Sequence, residues 1–419
     1  MIGRANSQTN PAEVTVSAQS TSTCSLSLVW DESLAEYDFG PGHPLAPIRV
    51  QLAMRLIREF GIDVAPGVEI LGDLAPIEDA SLERVHDRDF VAAVRAAGQV
   101  PPVPDPERGL GTSDDPVFSD MHRAAARVCA ATVTAARAVW EGSSAHGVNL
   151  AGGLHHAMAD RAAGFCIYND IAVAIQWLLD HGVERVAYLD LDVHHGDGVQ
   201  AIFWDEPRVL TISIHESPRT LFPGTGLPTE VGGPNARGSA VNIALPAGTG
   251  DQGWLRALHG VVPEVLQAFA PTFLVSQNGV DSHLEDPLAH LALTIDGQRM
   301  GFAAAHRWAH EFADGRFVAV GGGGYEWVDV VPRAWTHLVA EIAGRPIDPL
   351  SLLPAGFAGY VAERLGRIAP TRMTDGATPW PRPLTQGWNP SGDAVDAAIA
   401  ATRDAVFPSF GLDPDPDGW

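Results

Sequence analysis

The chain has 419 residues, 46% of them hydrophobic, and sets 51 acidic side chains against 27 basic ones for a formal net charge of −24. Such a length buries a large core unaided, and the acidic balance opposes non-specific binding to nucleic acid or to an anionic membrane, both of which need clustered cations. There is no lysine, so all 27 basic side chains are arginine; this excludes a Walker-type phosphate loop, Schiff-base chemistry and a Ser-Lys hydrolase, each of which needs the amine.

In chain order, residues 1–25 read as a flexible tail, rich in Ser, Thr, Asn and Gln and lacking the apolar stretch of a signal peptide. No apolar run approaches the ~18 residues of a membrane-spanning helix, and the expectation is a cytoplasmic protein. A first strand is expected at Leu26–Trp30. Ile48–Phe60 carries Leu52, Leu56, Ile57 and Phe60 at helical spacing and stops at Gly61. Gln99–Pro116 reads as a long loop and Ser119–Trp140 as an Ala-rich helix. Beyond it, short runs rich in β-branched or aromatic residues (Arg185–Leu191, Val209–Ile214, Phe273–Gln277, Phe317–Val320) alternate with helical stretches at Ile171–His181, Gln252–Phe269 and Gly297–Phe312. This alternation predicts an α/β fold: one three-layer domain over residues 26–350, with a mostly parallel, buried central sheet and helices on both faces. Composition shifts to Pro, Gly, Asp and Ala after Pro346, so 351–419 reads as a C-terminal appendage. Cys24, Cys129 and Cys166 are too far apart for a disulfide framework or a Cys-based zinc site.

In parallel sheets ligands bind beyond the carboxyl ends of the strands. The predicted strands run into Asp190–Asp197, His215-Glu216, Asn278–Asp281 and Gly321–Tyr325, so titratable residues gather where a site is expected. Asp192 and His194, two apart on extended chain, project to one side and can share an ion. Asp281 adds a third ligand. A His with two carboxylates and an open position suits catalytic zinc, or Fe(II) or Co(II), rather than a closed structural centre. His155 and His156 follow Gly152-Gly153, and Asp190 and Asp197 are available to orient two imidazoles for acid–base work. Gly321–Gly324 lacks the lysine and the spacing of a phosphate loop and reads as a hinge carrying Tyr325, whose hydroxyl can donate to a developing oxyanion. Phe165 and Phe222, each in a Gly-rich loop, can wall a narrow channel for an aliphatic chain. Asp114 and Asp115 read as solvated turn carboxylates.

These motifs, in this order, resemble the histone deacetylase family, most closely its bacterial acetoin-utilisation branch related to the class I enzymes. The resemblance spans Leu28 to Pro346 and rests on Gly42–Arg49, Gly152–Ala157, Gly164–Cys166 with Asn169-Asp170, Asp190–Gly198, Phe222–Gly226, Asp281–His283 with Asp286–Leu288, and Gly321–Tyr325. It implies an arginase/deacetylase-like fold and zinc-dependent removal of acetyl groups from N6-acetyl-lysine of proteins, releasing acetate. Asp192, His194 and Asp281 would be the zinc ligands. His155, backed by Asp190, and His156, backed by Asp197, would be the catalytic pair, with His156 the general base and acid. Tyr325 would polarise the scissile carbonyl. Gly153, Phe165, Phe222 and Leu288 would line the substrate channel, Asp114 would hold the substrate backbone at the rim, and Arg49 would stand near the acetate exit. A structural K⁺ or Na⁺ would lie on oxygens of Asp190, Asp192, His194 and Ser213. Two positions depart from the family: Leu154 replaces an aromatic residue, which would widen the inner cavity, and Asn278 stands where other residues are usual. The rival readings are an acetylpolyamine or other small-acetylamide deacetylase, an arginase-type binuclear ureohydrolase, and a non-catalytic acetyl-ligand sensor. The expected partner is an acetylated protein or small acetylamide, with no nucleic acid and no membrane.

Overall fold

A computed structural model describes residues 24–415; the expectations for residues 1–23 and for the acidic end at 416–419 lie outside them. Eight strands, β1 (Leu26–Val29), β2 (Val68–Leu71), β3 (His146–Asn149), β4 (Val186–Asp190), β5 (Val209–Glu216), β6 (Ala240–Leu245), β7 (Phe273–Gln277) and β8 (Phe317–Val320), form one sheet in the order β2-β1-β3-β8-β7-β4-β5-β6. Every pairing is parallel. β1, β3, β4, β5, β7 and β8 are buried along their whole length. Such strands need no polar face, which is why most read as continuous apolar runs. The edge strand β2 places Glu69 and Ile70 in solvent.

The register carries the functional consequence. Asn149 pairs with Val320, Val320 with Gln277, Gln277 with Asp190, and Asp190 with Ser213. The last residues of four neighbouring strands therefore form one row with Ser213 inside β5, and the loops leaving them open over the same patch. Helices cover the sheet, and side-chain caps start several of them. Asn169 accepts from Ala172 N–H at the head of the Asp170–Asp180 helix, and Thr294 from Gly297 N–H at the head of the Ile295–Phe312 helix. No helix among the described residues is long and apolar enough to cross a membrane.

β2, β3 and β6 were not expected. His146-Gly147-Val148-Asn149 is too polar to read as a strand, yet it lies centrally because its neighbours supply the ladder. Within Gln99–Pro116 only a short 3-10 turn, Pro106–Arg108, interrupts the loop. Residues 351–415, set apart by composition, pack on the same body. In the Ala394–Val406 helix, Ile399 and Val406 join the main core, and Thr402 Oγ1 donates to the Asn242 carbonyl of β6 at 2.7 Å. Arg256, on the Asp251–Phe269 helix, meets Asp396 through two nitrogens at 2.5 and 3.1 Å, with both side chains buried. The chain rich in Pro and Gly between the Ala355–Leu365 and Ala394–Val406 helices dilutes the apolar pattern that would reveal them.

Removing one partner of a buried ion pair leaves the other charge stranded, at a cost of about 3–5 kcal/mol. Asp396→Ala is therefore expected to lower unfolding stability by that order in chemical denaturation, although Asp396 belongs to none of the strand-end loops.

Candidate active site

The loop after β4 turns Asp192 and His194 toward the end of β7, where Asp281 arrives from the next loop. His194 Nδ1 lies 3.2 Å from Asp192 Oδ1 and 3.1 Å from Asp281 Oδ2. The remaining carboxylate oxygens are engaged from behind: Asp192 Oδ2 accepts from Gln277 Nε2 at 2.7 Å and from Gly323 N–H at 2.8 Å, and Asp281 Oδ1 accepts from Val193 N–H at 3.0 Å. Both carboxylates are fully buried and present one oxygen each to a common point. Burial, with the Asp192 charge added, raises Asp281 to about 6. Burial opposes a charge on His194, but hydrogen bonds and attraction from the two carboxylates outweigh it and hold its proton up to about 10. The site thus demands positive charge at the point where the three ligand atoms meet, and these donors fit a divalent metal.

Two His–Asp pairs stand beside it. His155 Nδ1 is 2.8 Å from Asp190 Oδ2, and His156 Nδ1 is 2.7 Å from Asp197 Oδ1. Their Nε2 atoms face each other at 3.0 Å. Burial disfavours protonation of both. At His155 the Asp190 and Asp192 carboxylates overcome it and raise the ring to about 9, whereas at His156 the neighbouring His155 adds to it and lowers the ring to about 4. One imidazole is held charged and its neighbour neutral. Asp190 also accepts from Tyr188 Oη at 2.6 Å. Ser213, its register partner, has its Oγ 2.8 Å from His215 Nδ1.

Tyr325 is half-buried, with Phe165 edge-on at 5.8 Å and the Arg49 guanidinium 5.7 Å from its ring centre. Burial, followed by the Asp281 and Asp192 charges, pushes its phenol well above the ordinary range, so the hydroxyl keeps its proton. The preceding glycines are packed rather than hinge-like. Gly321 N–H donates to the Asn149 carbonyl, and Arg49 donates to the carbonyls of Gly322 and Gly324. A Cβ on Gly323 would run into the carboxylates of Asp281 and Asp192, so glycine is required there for close approach. Gly153, at φ +101°, lies against Gly321 and Gly322 in the same way, its N–H held by Asp170 at 3.1 Å.

Phe222 lies 5.0 Å from His156 and 6.3 Å from His194, ring centre to ring centre, and is half exposed. Phe165 has a positive φ of +67°, a conformation that costs of order 1–3 kcal/mol in a bulky residue. It is held from both sides. Asp114 Oδ2 accepts from Gly164 N–H at 2.8 Å, and Tyr37 Oη donates to the Phe165 carbonyl at 2.9 Å. Asp114 is half-buried, and Asp115 is buried rather than solvated, so burial and the Asp114 charge raise it to about 8. Leu288 is half-buried, its N–H held by Asp286. Leu154 and Arg49 line a small cavity behind the site with Tyr37, Leu45 and Gly322. His195 and His215 face Thr225, Gln200, Ser213 and the Gly226 carbonyl, and stay out of the cluster.

Residues 43–342 match the histone deacetylase domain. An acetoin utilization protein AcuC from Bacillus subtilis (strain 168) is 41% identical over 355 residues, covering 84% of this chain and 90% of its own length. The chain belongs to the histone deacetylase family. Another acetoin utilization protein AcuC, from Staphylococcus aureus (strain MRSA252), is 36% identical over 349 residues, covering 83% of this chain and 89% of its own. Among solved structures, an HDAC homologue from Aquifex aeolicus superposes with a TM-score of 0.77 at 27% identity over 90% of this chain and 100% of that one. An HDAC homologue complexed with SAHA gives 0.76 at 28% identity, with the same coverage. This deacetylase is thus a hydrolase acting on an acetylated substrate, on a fold that carries a divalent metal.

Several supporting residues went unassigned in the sequence. Gln277 bridges Asp192 and the Gly153 carbonyl, and its Oε1 accepts from Gly279 N–H at 2.7 Å. Asp286 accepts from Tyr325 N–H at 2.7 Å and fixes the backbone that carries the phenol. Asn278 is a fastener: its Nδ2 reaches Ser276 and the Val320 carbonyl, tying β7 to β8 just before the glycines. The strand-end position of Gln277 was the available signal. In this deacetylase Gln277→Ala is expected to weaken divalent-metal affinity by about 10–100-fold, the usual cost of losing a ligand-orienting partner, as measured by chelator competition.

Proposed function

We propose that this deacetylase hydrolyses N6-acetyl-lysine side chains of proteins to lysine and acetate, with zinc as its resident ion and residues 26–350 as the catalytic unit. The supporting observation is that Asp192, His194 and Asp281 meet at one point beside two His–Asp pairs whose Nε2 atoms face each other. The three converging side chains are assigned as the zinc ligands. A divalent ion there supplies Lewis acidity toward the acetyl carbonyl and acidifies water beside it.

The chain's own groups do the rest. His156, neutral and steadied by Asp197, takes the proton of the attacking water at Nε2 and later delivers it to the lysine Nζ, which cannot leave as an anion. His155, kept charged by Asp190, and the protonated Tyr325 phenol donate to the oxygen as it gains negative charge. Phe165, Phe222, Leu288 and the Gly153 backbone wall the channel. An acetylated lysine is neutral enough to enter it, and the product ammonium regains its hydration outside. Asp114, tied to Gly164, is assigned to the substrate backbone at the rim, Arg49 to the acetate side, and a K⁺ or Na⁺ to oxygens of Asp190, Asp192, His194 and Ser213. Cytoplasmic location is part of the same reading.

Asp281→Ala or His194→Ala is expected to lose both the active-site ion and turnover, and a variant that retains tightly bound zinc at this site would overturn the ligand assignment. Tyr325→Phe is expected to keep the ion and lose turnover by roughly 10²–10³-fold, as for one missing oxyanion donor; a rate within a few-fold of wild type would remove Tyr325 from the mechanism. Acetyl-lysine peptides and acetylpolyamines assayed side by side decide the substrate class, with higher kcat/KM on the peptides expected. Hydroxamates, bidentate zinc chelators, should inhibit at low concentration.

A further inference from the structure

At the end of the sheet opposite the active site, four side chains from separate segments meet. His146 opens β3, His306 and His310 lie one turn apart near the end of the Ile295–Phe312 helix, and Cys24 stands just before β1. His146 Nε2 is 3.1 Å from His306 Nε2, His306 Nε2 is 3.2 Å from His310 Nε2, and His310 Nε2 is 3.5 Å from Cys24 Sγ. All four ligand atoms lie within 4.8 Å of one another. His146 is buried and His306 is 8% exposed, while His310 forms the rim.

Hydrogen bonding alone does not account for this arrangement. An imidazole nitrogen carries one N–H or one in-plane lone pair and so serves one directional partner. His306 Nε2 faces two nitrogens, and His310 Nε2 faces a nitrogen and a sulfur. The ring planes stand steeply to one another, at 88°, 87° and 62°, as rings do when they radiate from one centre. A tetrahedral ion at their centre accounts for these three close approaches. Metal–N bonds of about 2.0–2.1 Å and a metal–S bond of about 2.3 Å require N···N edges of about 3.3–3.4 Å and an N···S edge of about 3.6 Å. The three edges above fall within a few tenths of an ångström of these lengths.

We propose that Cys24, His146, His306 and His310 form a second, structural metal centre for a borderline-soft divalent transition ion, Zn²⁺ above all. One thiolate and three imidazoles select this class over Mg²⁺ or Ca²⁺, which take oxygen ligands. With four protein ligands the centre is closed, and its role is to hold parts together. His146 pairs in register with Leu26 of β1, so the ion clamps the lead-in to β1, the start of β3 and the end of the Ile295–Phe312 helix. The His306 ring turns its other nitrogen toward Glu341, whose Oε1 lies 3.9 Å from Nδ1. The three cysteines considered among themselves conceal the site, because its other ligands are histidines from distant segments.

The test is metal content per chain in the purified full-length protein, wild type and variants, by elemental analysis. Two divalent transition ions are expected in the wild type, apart from any K⁺ or Na⁺. Cys24→Ser and His310→Ala should each lose one ion and lower the melting temperature, while deacetylation stays within a few-fold of wild type. Asp281→Ala should lose the other ion together with activity. This pattern also separates the proposal from a binuclear catalytic site, where neither ion is dispensable. In Asp281→Ala protein loaded with Co²⁺, a near-ultraviolet thiolate-to-cobalt band is expected, and it should vanish when Cys24→Ser is added. A wild-type chain with a single ion that Asp281→Ala removes, a Cys24→Ser protein that keeps both ions, or a cobalt form without the thiolate band would overturn the second centre. None of these outcomes depends on which acetylated substrate the active site takes.

Discussion

Two buried carboxylates aimed at the same point are the constraint around which this structure is organised. Asp192 and Asp281 repel each other in a medium that screens poorly, and such a pair persists only with positive charge between them or with strong donors behind. The fold provides the donors: Gln277, Gly323 and Val193 each give an N–H to a carboxylate oxygen. The front oxygens are left to His194 and to the ion that these donors fit. From this follow the glycine at 323, the polar end of β7 and the burial of the whole cluster.

The sheet register makes that convergence possible. Because Asn149, Val320, Gln277, Asp190 and Ser213 align across five strands, residues more than a hundred positions apart leave the sheet side by side. An all-parallel sheet puts every strand's carboxyl end on one edge, so the two His–Asp pairs, the Asp192–His194–Asp281 cluster and the Tyr325 phenol need no long excursions to meet. The opposite edge gathers His146 and Cys24 beside the end of a helix, and there the same alignment assembles a set of nitrogen and sulfur donors.

Much of this was legible in the sequence. Asp192 and His194 announce themselves by alternation, the strands β4, β5, β7 and β8 by their unbroken apolar runs, and Tyr325 by the glycines before it. What stayed hidden has physical reasons. β3 is short and has His146 and Asn149 at its two ends, so no pattern within His146–Asn149 marks it. The tight packing of Gly321–Gly324 depends on Arg49, far away in the chain, and so the segment read as a hinge. The burial of Asp115 and the backbone strain at Phe165 arise from contacts that no local spacing encodes. The helices beyond residue 350 are obscured by the Pro- and Gly-rich chain that joins them.

Among the described residues, the permanent cations deep in this protein are all guanidinium groups. Arg256 neutralises Asp396, Arg403 reaches Glu264, Arg333 meets Asp375, and Arg49 donates to the glycine carbonyls before Tyr325. A lysine standing for an arginine would carry a primary amine, and wherever that amine reached solvent it would be open to acylation by reactive thioesters and would lose its charge when modified. An enzyme that strips acetyl groups from other molecules is thus built so that no side chain of its own can carry the mark on an amine, and its internal charge balance is insulated from the acylation state of its surroundings.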